Sequence, residues 1–521
     1  MKRIQVFIWL FSIYLFVPAQ PKADQKEDPI STFASTITEN DIEAHITFLA
    51  DDLMEGRETG TRGQYLAAKY LASQFKLFGL APGNPTDNSY FQVYQLQKVS
   101  VNSLNMQAGK GKYEYRRHFF AFDGNHIPQS LSGELVFGGY GLQLEDYNNL
   151  EGLDVKDKIV VLFGENPRAS GEDFGDLFDD WQARVAGLQA AGAKGALMIL
   201  PALSFGRLAF FTRSELMSVM DEDDKPFPFL FVSEEVGNSL LGLAKANAEE
   251  LKAQLKDSPK VPNLTFKSEK FRCSGDVKKE LIDAHNVLGY LEGTDLKDEL
   301  VIITAHYDHL GAKDSIIYNG ADDDGSGTSA VLELAQAFAK AAEAGNRPRR
   351  SILFMPVSGE EKGLLGSRYY TDHPLYPLKK AQANFNIDMI GRTDEKYASR
   401  EDSMDYVYLI GADRISTYLH DISEEANKKY GKLTLDYTYN DEDDPNQFYY
   451  RSDHYNFASN EIPVIFYFTG IHEDYHMPTD DVEKIQFEKI AKVARLIFAT
   501  AWETANYDMK LIRNVIEEAE P

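Results

Sequence analysis

Apolar positions along this chain keep two different rhythms, and the changes of rhythm divide it. Ile42, Ile46, Leu49 and Leu53 recur at helical spacing, and Leu66, Tyr70, Leu71, Phe75 and Phe78 do so again. Thr59-Gly60-Thr61-Arg62-Gly63 between them reads as a loop, and Gly79 ends the second helix. From about residue 125, short β-like runs take over: Gly133 to Phe137, Lys158 to Phe163, Ala196 to Leu200 and Phe227 to Val232. One helical pattern, through Val185, Leu188 and Ala191, sits among them. From Asn286 onward, continuous apolar runs alternate with helices. Leu300 to Ala305, Ile352 to Val357, Phe385 to Met389, Val407 to Ile410 and Pro463 to Phe468 read as strands, several of them buried on both faces. Ser326 to Ala342, Leu364 to Tyr370 and Val482 to Ala505 read as helices. The alternation predicts a three-layer α/β domain with a mostly parallel central sheet, interrupted by a smaller β-rich module.

Length agrees with two units, because 521 residues exceed what one core usually serves. The division expected is 30–125 and 271–521 for the α/β domain and 126–270 for the insertion. The first residues have the form of an export signal, expected at 1–19. Lys2 and Arg3 precede an apolar stretch from Ile4 to Val17, and Val17-Pro18-Ala19 is a small-residue cleavage site. The stretch is shorter than the ~20 residues that span a bilayer. The expectation is an exported protein, periplasmic or secreted, with no membrane anchor after cleavage. The net charge of −27 and the lack of a Lys/Arg stripe argue against a nucleic-acid partner. Cys273 is the one cysteine, so no internal disulfide can form, and it reads as a partly buried thiol.

Polar residues crowd the carboxyl ends of the predicted strands, where open α/β sheets form their sites. The first strand runs into His306-Tyr307-Asp308, where His306 could bind a metal while Asp308 holds its other ring nitrogen. Asp322-Asp323-Asp324 follows. Three adjacent carboxylates repel one another unless a cation compensates; the bland reading is a solvated turn capping the next helix. The second strand ends at Glu360-Glu361, of which one could bind metal and the other act as a base. Asp388 sits in an apolar strand, which is costly unless it is paired or metal-bound. Tyr475-His476 follows the Pro463 strand. Imidazoles and carboxylates without a thiolate set suit Zn²⁺ or a pair of divalent ions.

In order and content these motifs resemble the co-catalytic di-zinc aminopeptidases, a family of zinc metallopeptidases related to glutamate carboxypeptidase II and the transferrin receptor. The likeness rests on His306 to Gly311, Gly320 to Gly327, Gly359 to Ser367, Asn386 to Gly391 and Tyr475 to Asp480, with Asp52 to Arg57, Gly60-Thr61 and Tyr90-Phe91-Gln92 before them. Gly139-Tyr140-Gly141, Asp157 to Val161 and Ala190 to Gly195 resemble a protease-associated domain. The resemblance implies two Zn²⁺ ions, one on His306 and Asp388, the other on Glu361 and His476, with Asp323 bridging. It also implies a cis peptide at Asp323-Asp324, Glu360 as general base, Asp308 as the partner of His306, and Tyr475 on the substrate carbonyl. The implied activity is zinc-dependent exopeptidase action on peptides with a free amino terminus. A carboxypeptidase, a single-zinc glutaminyl cyclase or a metal-free receptor-like module are the competing readings. All five metal positions and the base are present, which disfavours the last. His309, His454 and His472 lie near these motifs, and Arg451 to His454 resembles a family segment by the pocket. Asp441 to Asp444 reads as a solvated loop.

Overall fold

The computed structural model describes residues 28–167, 174–210, 215–220, 226–256 and 258–514, so the expected export segment lies outside the described residues. The central sheet has eight strands. In chain order they are β1 (Ala81–Pro82), β2 (Gly289–Leu291), β3 (Leu296–His306), β4 (Arg350–Val357), β5 (Ala381–Ile387), β6 (Tyr406–Ile410), β7 (Thr434–Asp436) and β8 (Val464–Phe468). Across the sheet the order is β1-β2-β4-β3-β5-β8-β6-β7. The inner strands β4, β3, β5 and β8 are mutually parallel. Antiparallel pairs β1–β2, β2–β4 and β8–β6 flank them.

Every residue of β4, β5 and β8 is buried, which explains the apolar runs Ile352 to Val357 and Val464 to Phe468; β5 buries the polar Gln382, Asn384 and Asn386 as well. On one face the helices α1 (Glu39–Leu49), α2 (Arg62–Leu77), α3 (Gly325–Glu343) and α4 (Phe487–Asn506) share a core built on Ile46, Leu71, Phe338 and Phe498. On the other face Ile302, Leu353, Tyr370 and Phe457 form a second core, which completes the three layers. The last helix begins at Phe487 rather than Val482, because Val482–Lys484 forms a separate 3₁₀ turn. Side-chain caps set the starts of α1 and α3. Thr38 accepts from Asp41 N at 3.2 Å, and Asp324 accepts from Gly327 N at 2.8 Å.

One element escaped the sequence pattern. Phe91–Ala108 and Phe271–Val287 form a long antiparallel ribbon, running from Phe91 opposite Val287 to Ala108 opposite Phe271. Its near end braces the central sheet: Tyr94 Oη donates to Ser358 O at 2.8 Å, and Asn286 Nδ2 donates to Gly366 O at 2.8 Å. Its far end packs against a five-stranded sheet in the order Phe119–Phe120, Phe229–Val232, Gly195–Ile199, Ile159–Phe163, Leu135–Phe137. That sheet has its own apolar cores, one including Val161, Leu230 and Cys273 and the other Val160, Phe229 and Trp181. Cys273 is wholly buried, and burial pushes its thiol up to about 12.

Candidate metal centre

The carboxyl ends of β3, β4 and β5 and the loop after β8 converge on one point. His306 ends β3, Glu360 and Glu361 follow β4, Asp388 follows β5, and Tyr475 and His476 follow β8. His306 Nε2 lies 3.2 Å from Asp323 Oδ1 and 3.6 Å from Asp388 Oδ1. His476 Nε2 lies 3.2 Å from Asp323 Oδ2 and 3.4 Å from Glu361 Oε1. Asp323 thus faces both imidazoles, one with each oxygen. All eight residues singled out from the sequence meet here: Asp308 lies behind His306, Glu360 reaches within 3.9 Å of His306 Nε2, and Tyr475 stacks on His476 with ring centroids 3.9 Å apart.

The acidic triplet is divided among three surroundings. Asp322 accepts from Gly391 N at 2.6 Å and lies 3.2 Å from His472 Nε2. Asp324 accepts from the backbone N–H groups of His306, Gly327 and Met389 at 3.2, 2.8 and 3.2 Å. Asp323 alone faces the centre, and the peptide between it and Asp324 is cis. Asp480 clamps the turn by accepting from Asp322 N and Asp323 N, each at 3.1 Å through Oδ2.

A set of supporting groups fixes these side chains, and sequence reasoning gave most of them no role. His306 Nδ1 donates to the backbone carbonyl of Asp308 at 3.0 Å, whereas the Asp308 carboxylate is 3.9 Å away. The expected carboxylate–imidazole contact is therefore replaced by a carbonyl one. The Asp308 carboxylate instead accepts from Thr59 Oγ1 at 2.6 Å and from Glu360 N at 3.3 Å, which sets the backbone of the expected base. Asp388 Oδ2 accepts from Ser452 Oγ at 2.7 Å; Ser452 accepts from Asn386 Nδ2 at 2.8 Å, and Asn386 accepts from Thr304 Oγ1 at 2.7 Å. Arg57 explains the amino-terminal motif. Its buried guanidinium donates to the carbonyls of Tyr307, Leu49, Asn319 and Gly320 at 2.8, 2.6, 2.7 and 3.0 Å.

The neighbouring histidines differ. His309 is wholly buried beside the centre, with Nδ1 2.9 Å from Glu361 Oε1. His454 stacks on Phe466 at 4.7 Å, and burial pushes it down to about 3, so it is a neutral packing residue. The acidic loop is solvated at Asp441 to Asp443 but not at Asp444. That residue is buried and accepts from Asn446 N and Phe448 N at 3.0 and 3.2 Å, fixing the turn into Phe448.

Electrostatics fit a cation. Burial alone would push His306 down, but the Glu360, Asp388 and Asp323 carboxylates outweigh it and raise the imidazole well above its ordinary value. His476 behaves alike: Asp323 and Glu361 overcome burial and raise it to about 10. Asp323 and Glu361 are held below the usual carboxylate range, against burial, by the histidines around them. Asp323 Oδ2 is buried and makes no hydrogen bond. Imidazole and carboxylate atoms converging on one point in this way are the donor set of a zinc centre. Two such groups fall within ligating reach, His306–Asp323–Asp388 and His309–Asp323–Glu361.

Comparison with known proteins agrees. Residues 286–501 match the model of peptidase family M28. Aminopeptidase YwaD of Bacillus subtilis (strain 168) is 28% identical over 390 residues, covering 73% of this chain and 69% of that protein. A probable glutamate carboxypeptidase of Arthroderma benhamiae is 34% identical over 151 residues, covering 27% of this chain and 20% of that protein. Among solved structures, the aminopeptidase from Aneurinibacillus sp. strain AM-1 shares the fold, with a TM-score of 0.52 at 20% identity over 94% of this chain and 98% of that one. Every motif of the converging centre from His306 to Asp480 lies inside the segment that matches this family.

Proposed function

We propose that this chain is a zinc-dependent aminopeptidase that hydrolyses the first peptide bond of peptides with a free amino end, using two Zn²⁺ ions. The observation that carries this reading is Asp323, whose two oxygens each lie 3.2 Å from a different imidazole. His306 and Asp388 would hold one ion and Glu361 and His476 the other, with Asp323 between them. Zinc bound there supplies Lewis acidity toward a water and toward the scissile carbonyl.

The chain's own residues handle the protons. Burial raises Glu360 well above the usual carboxylate range; His306 opposes this, and Glu361, Asp388 and Asp453 add to it. With cations in the centre, Glu360 is placed to take the proton of the attacking water and deliver it to the leaving amine nitrogen. Asp308 fixes Glu360 through its backbone N–H. Burial, with Asp323 and Glu361 nearby, keeps the Tyr475 phenol protonated, so its O–H can donate to the developing oxyanion.

A cleft of about 990 Å³ leads to the centre. Its walls come from Glu360, Arg451 and Tyr475 on one side and from His126, Trp181 and Phe227 of the second sheet system on the other. We assign the inserted segment 126–270, which supplies four of the five strands of that sheet, to a protease-associated module that bounds the peptide site. Export to the periplasm or medium is part of the same proposal, supported by the Lys2 to Ala19 pattern. A carboxypeptidase is the second reading, because Arg451 lines the pocket at the centre and could hold a carboxylate. Zinc analysis together with hydrolysis of amino-blocked, carboxyl-blocked and free peptides separates them. Two zincs per chain, and cleavage that requires a free amine, support the aminopeptidase. Cleavage that requires a free carboxylate supports the carboxypeptidase.

A further inference from the structure

We propose that His309 is an additional ligand in the Glu361–His476 half of the centre, giving that half two imidazoles where the other half has one. The inference rests on the zinc reading above and deepens it. His309 is 0% exposed, yet neither ring nitrogen makes a hydrogen bond. Nδ1 lies 2.9 Å from Glu361 Oε1 and 3.8 Å from Asp323 Oδ2, the same two oxygens that face His476 Nε2. A ring nitrogen that close to a carboxylate, without the alignment of a hydrogen bond, points past the oxygen. That is how two donors to one ion are disposed: with bonds of ~2.0–2.2 Å, neighbouring ligand atoms stand roughly 3 Å apart. A buried imidazole that makes no hydrogen bond is otherwise unfavourable.

The ring is also positioned by dedicated features. His309 N donates to Arg57 O at 3.3 Å, and the Arg57 side chain fastens the carbonyls of Tyr307 and Gly320 on either side of the loop. Gly320 stands where a Cβ would lie 2.5 Å from His309 Cγ, and its φ of +57° belongs to the left-handed region, so glycine both turns the chain and clears space for the ring. His309 and His476 meet edge to face, with centroids 6.0 Å apart and planes at 64°, so both rings reach Glu361 without clashing.

The alternative is that His309 only donates a hydrogen bond to Glu361. His309→Asn distinguishes the two, since an asparagine amide keeps an N–H donor near the Nδ1 position but is a poor zinc ligand. His309→Ala removes both functions. Zinc affinity is measured by chelator competition on the full chain, with near-ultraviolet circular dichroism as the folding control, and Co²⁺-substituted protein gives the visible ligand-field spectrum. We expect one of two zincs to bind at least 10-fold more weakly in both variants, the other to be unchanged, and the Co²⁺ bands of one site to shift. Wild-type affinity and an unshifted Co²⁺ spectrum in His309→Asn would overturn the proposal, as would an unaltered His309→Ala. If the unsubstituted chain binds fewer than two zincs, the two-metal reading fails first, and the experiment reports that separately.

Discussion

Arg57 gives the sharpest test of how the centre is supported. Its side chain is 1% exposed and donates to four backbone carbonyls, those of Leu49, Tyr307, Asn319 and Gly320. These join α1, the strand end bearing His306, and the turn bearing the acidic triplet. Each hydrogen bond from a charged donor contributes about 1.5–3 kcal/mol net, and bonds sharing one side chain do not add independently. Water entering the space left by Arg57→Ala would satisfy some of the carbonyls. The expected loss is therefore about 3–5 kcal/mol, well below the sum of four. Arg57→Lys keeps the charge but loses the planar fork, so it should lose about half as much. Removing the guanidinium also takes a buried cation away from Asp308, Asp480, Asp323 and Asp324, which surround it electrostatically. Urea unfolding of the zinc-loaded and chelator-stripped proteins measures both effects. The alanine variant should unfold at lower urea with an unchanged slope and should release zinc more readily. An alanine variant within about 1 kcal/mol of wild type, with zinc retention unchanged, would refute the reasoning.

Three further outcomes follow from the same contacts. Glu360→Gln should lower kcat by roughly 10²–10⁴-fold with zinc content intact, measured by steady-state kinetics beside elemental analysis. Ser452→Ala leaves Asp388 Oδ2 without its 2.7 Å donor and should weaken binding of one zinc by about 10–100-fold in chelator competition, with folding preserved. His454 has a folded pKa of about 3, below its unfolded value of about 6.5, so the unfolded chain binds the extra proton between those values. Its contribution to stability is complete above pH 6.5 and is lost as pH falls toward 3, by an amount on the order of 3–5 kcal/mol; His454→Phe should flatten that part of the stability–pH profile, and an unchanged slope would show that His454 is not the titrating group.

The parallel strands β4 and β8 were legible because burial on both faces writes an apolar run, and both are buried at every position. The Phe91–Val287 ribbon was not, because its phase slips. Gln92, Tyr94 and Leu96 are buried on even positions, then Val99 on an odd one, then Leu104 and Met106 on even ones again. A bulge opposite Asp276/Val277 accompanies the second slip, and the pairing strand lies far along the chain. No single period survives to be read. The centre shows the same contrast. His306, Glu360, Glu361, Asp388 and His476 each follow an apolar strand, so spacing exposes them. Thr59, Ser452 and His309 act through loops whose partners are fixed only by the tertiary fold, and no spacing rule marks them.

The acidic triplet shows how far charge arguments made on a sequence reach. Adjacency of Asp322, Asp323 and Asp324 requires compensation, and that much was sound. The structure supplies it three ways: His472 and a glycine N–H for Asp322, three backbone N–H groups for Asp324, and convergence with imidazoles for Asp323. Only the middle carboxylate therefore depends on a cation. Around it the Glu360, Glu361 and Asp388 carboxylates gather with His306, His309 and His476, so negative groups outnumber imidazoles in a buried space. Hydrogen bonds and His472 compensate the two outer aspartates within the chain itself; the centre gathers four carboxylates against three imidazoles, which is the physical reason these residues suit a metal site better than a polar core.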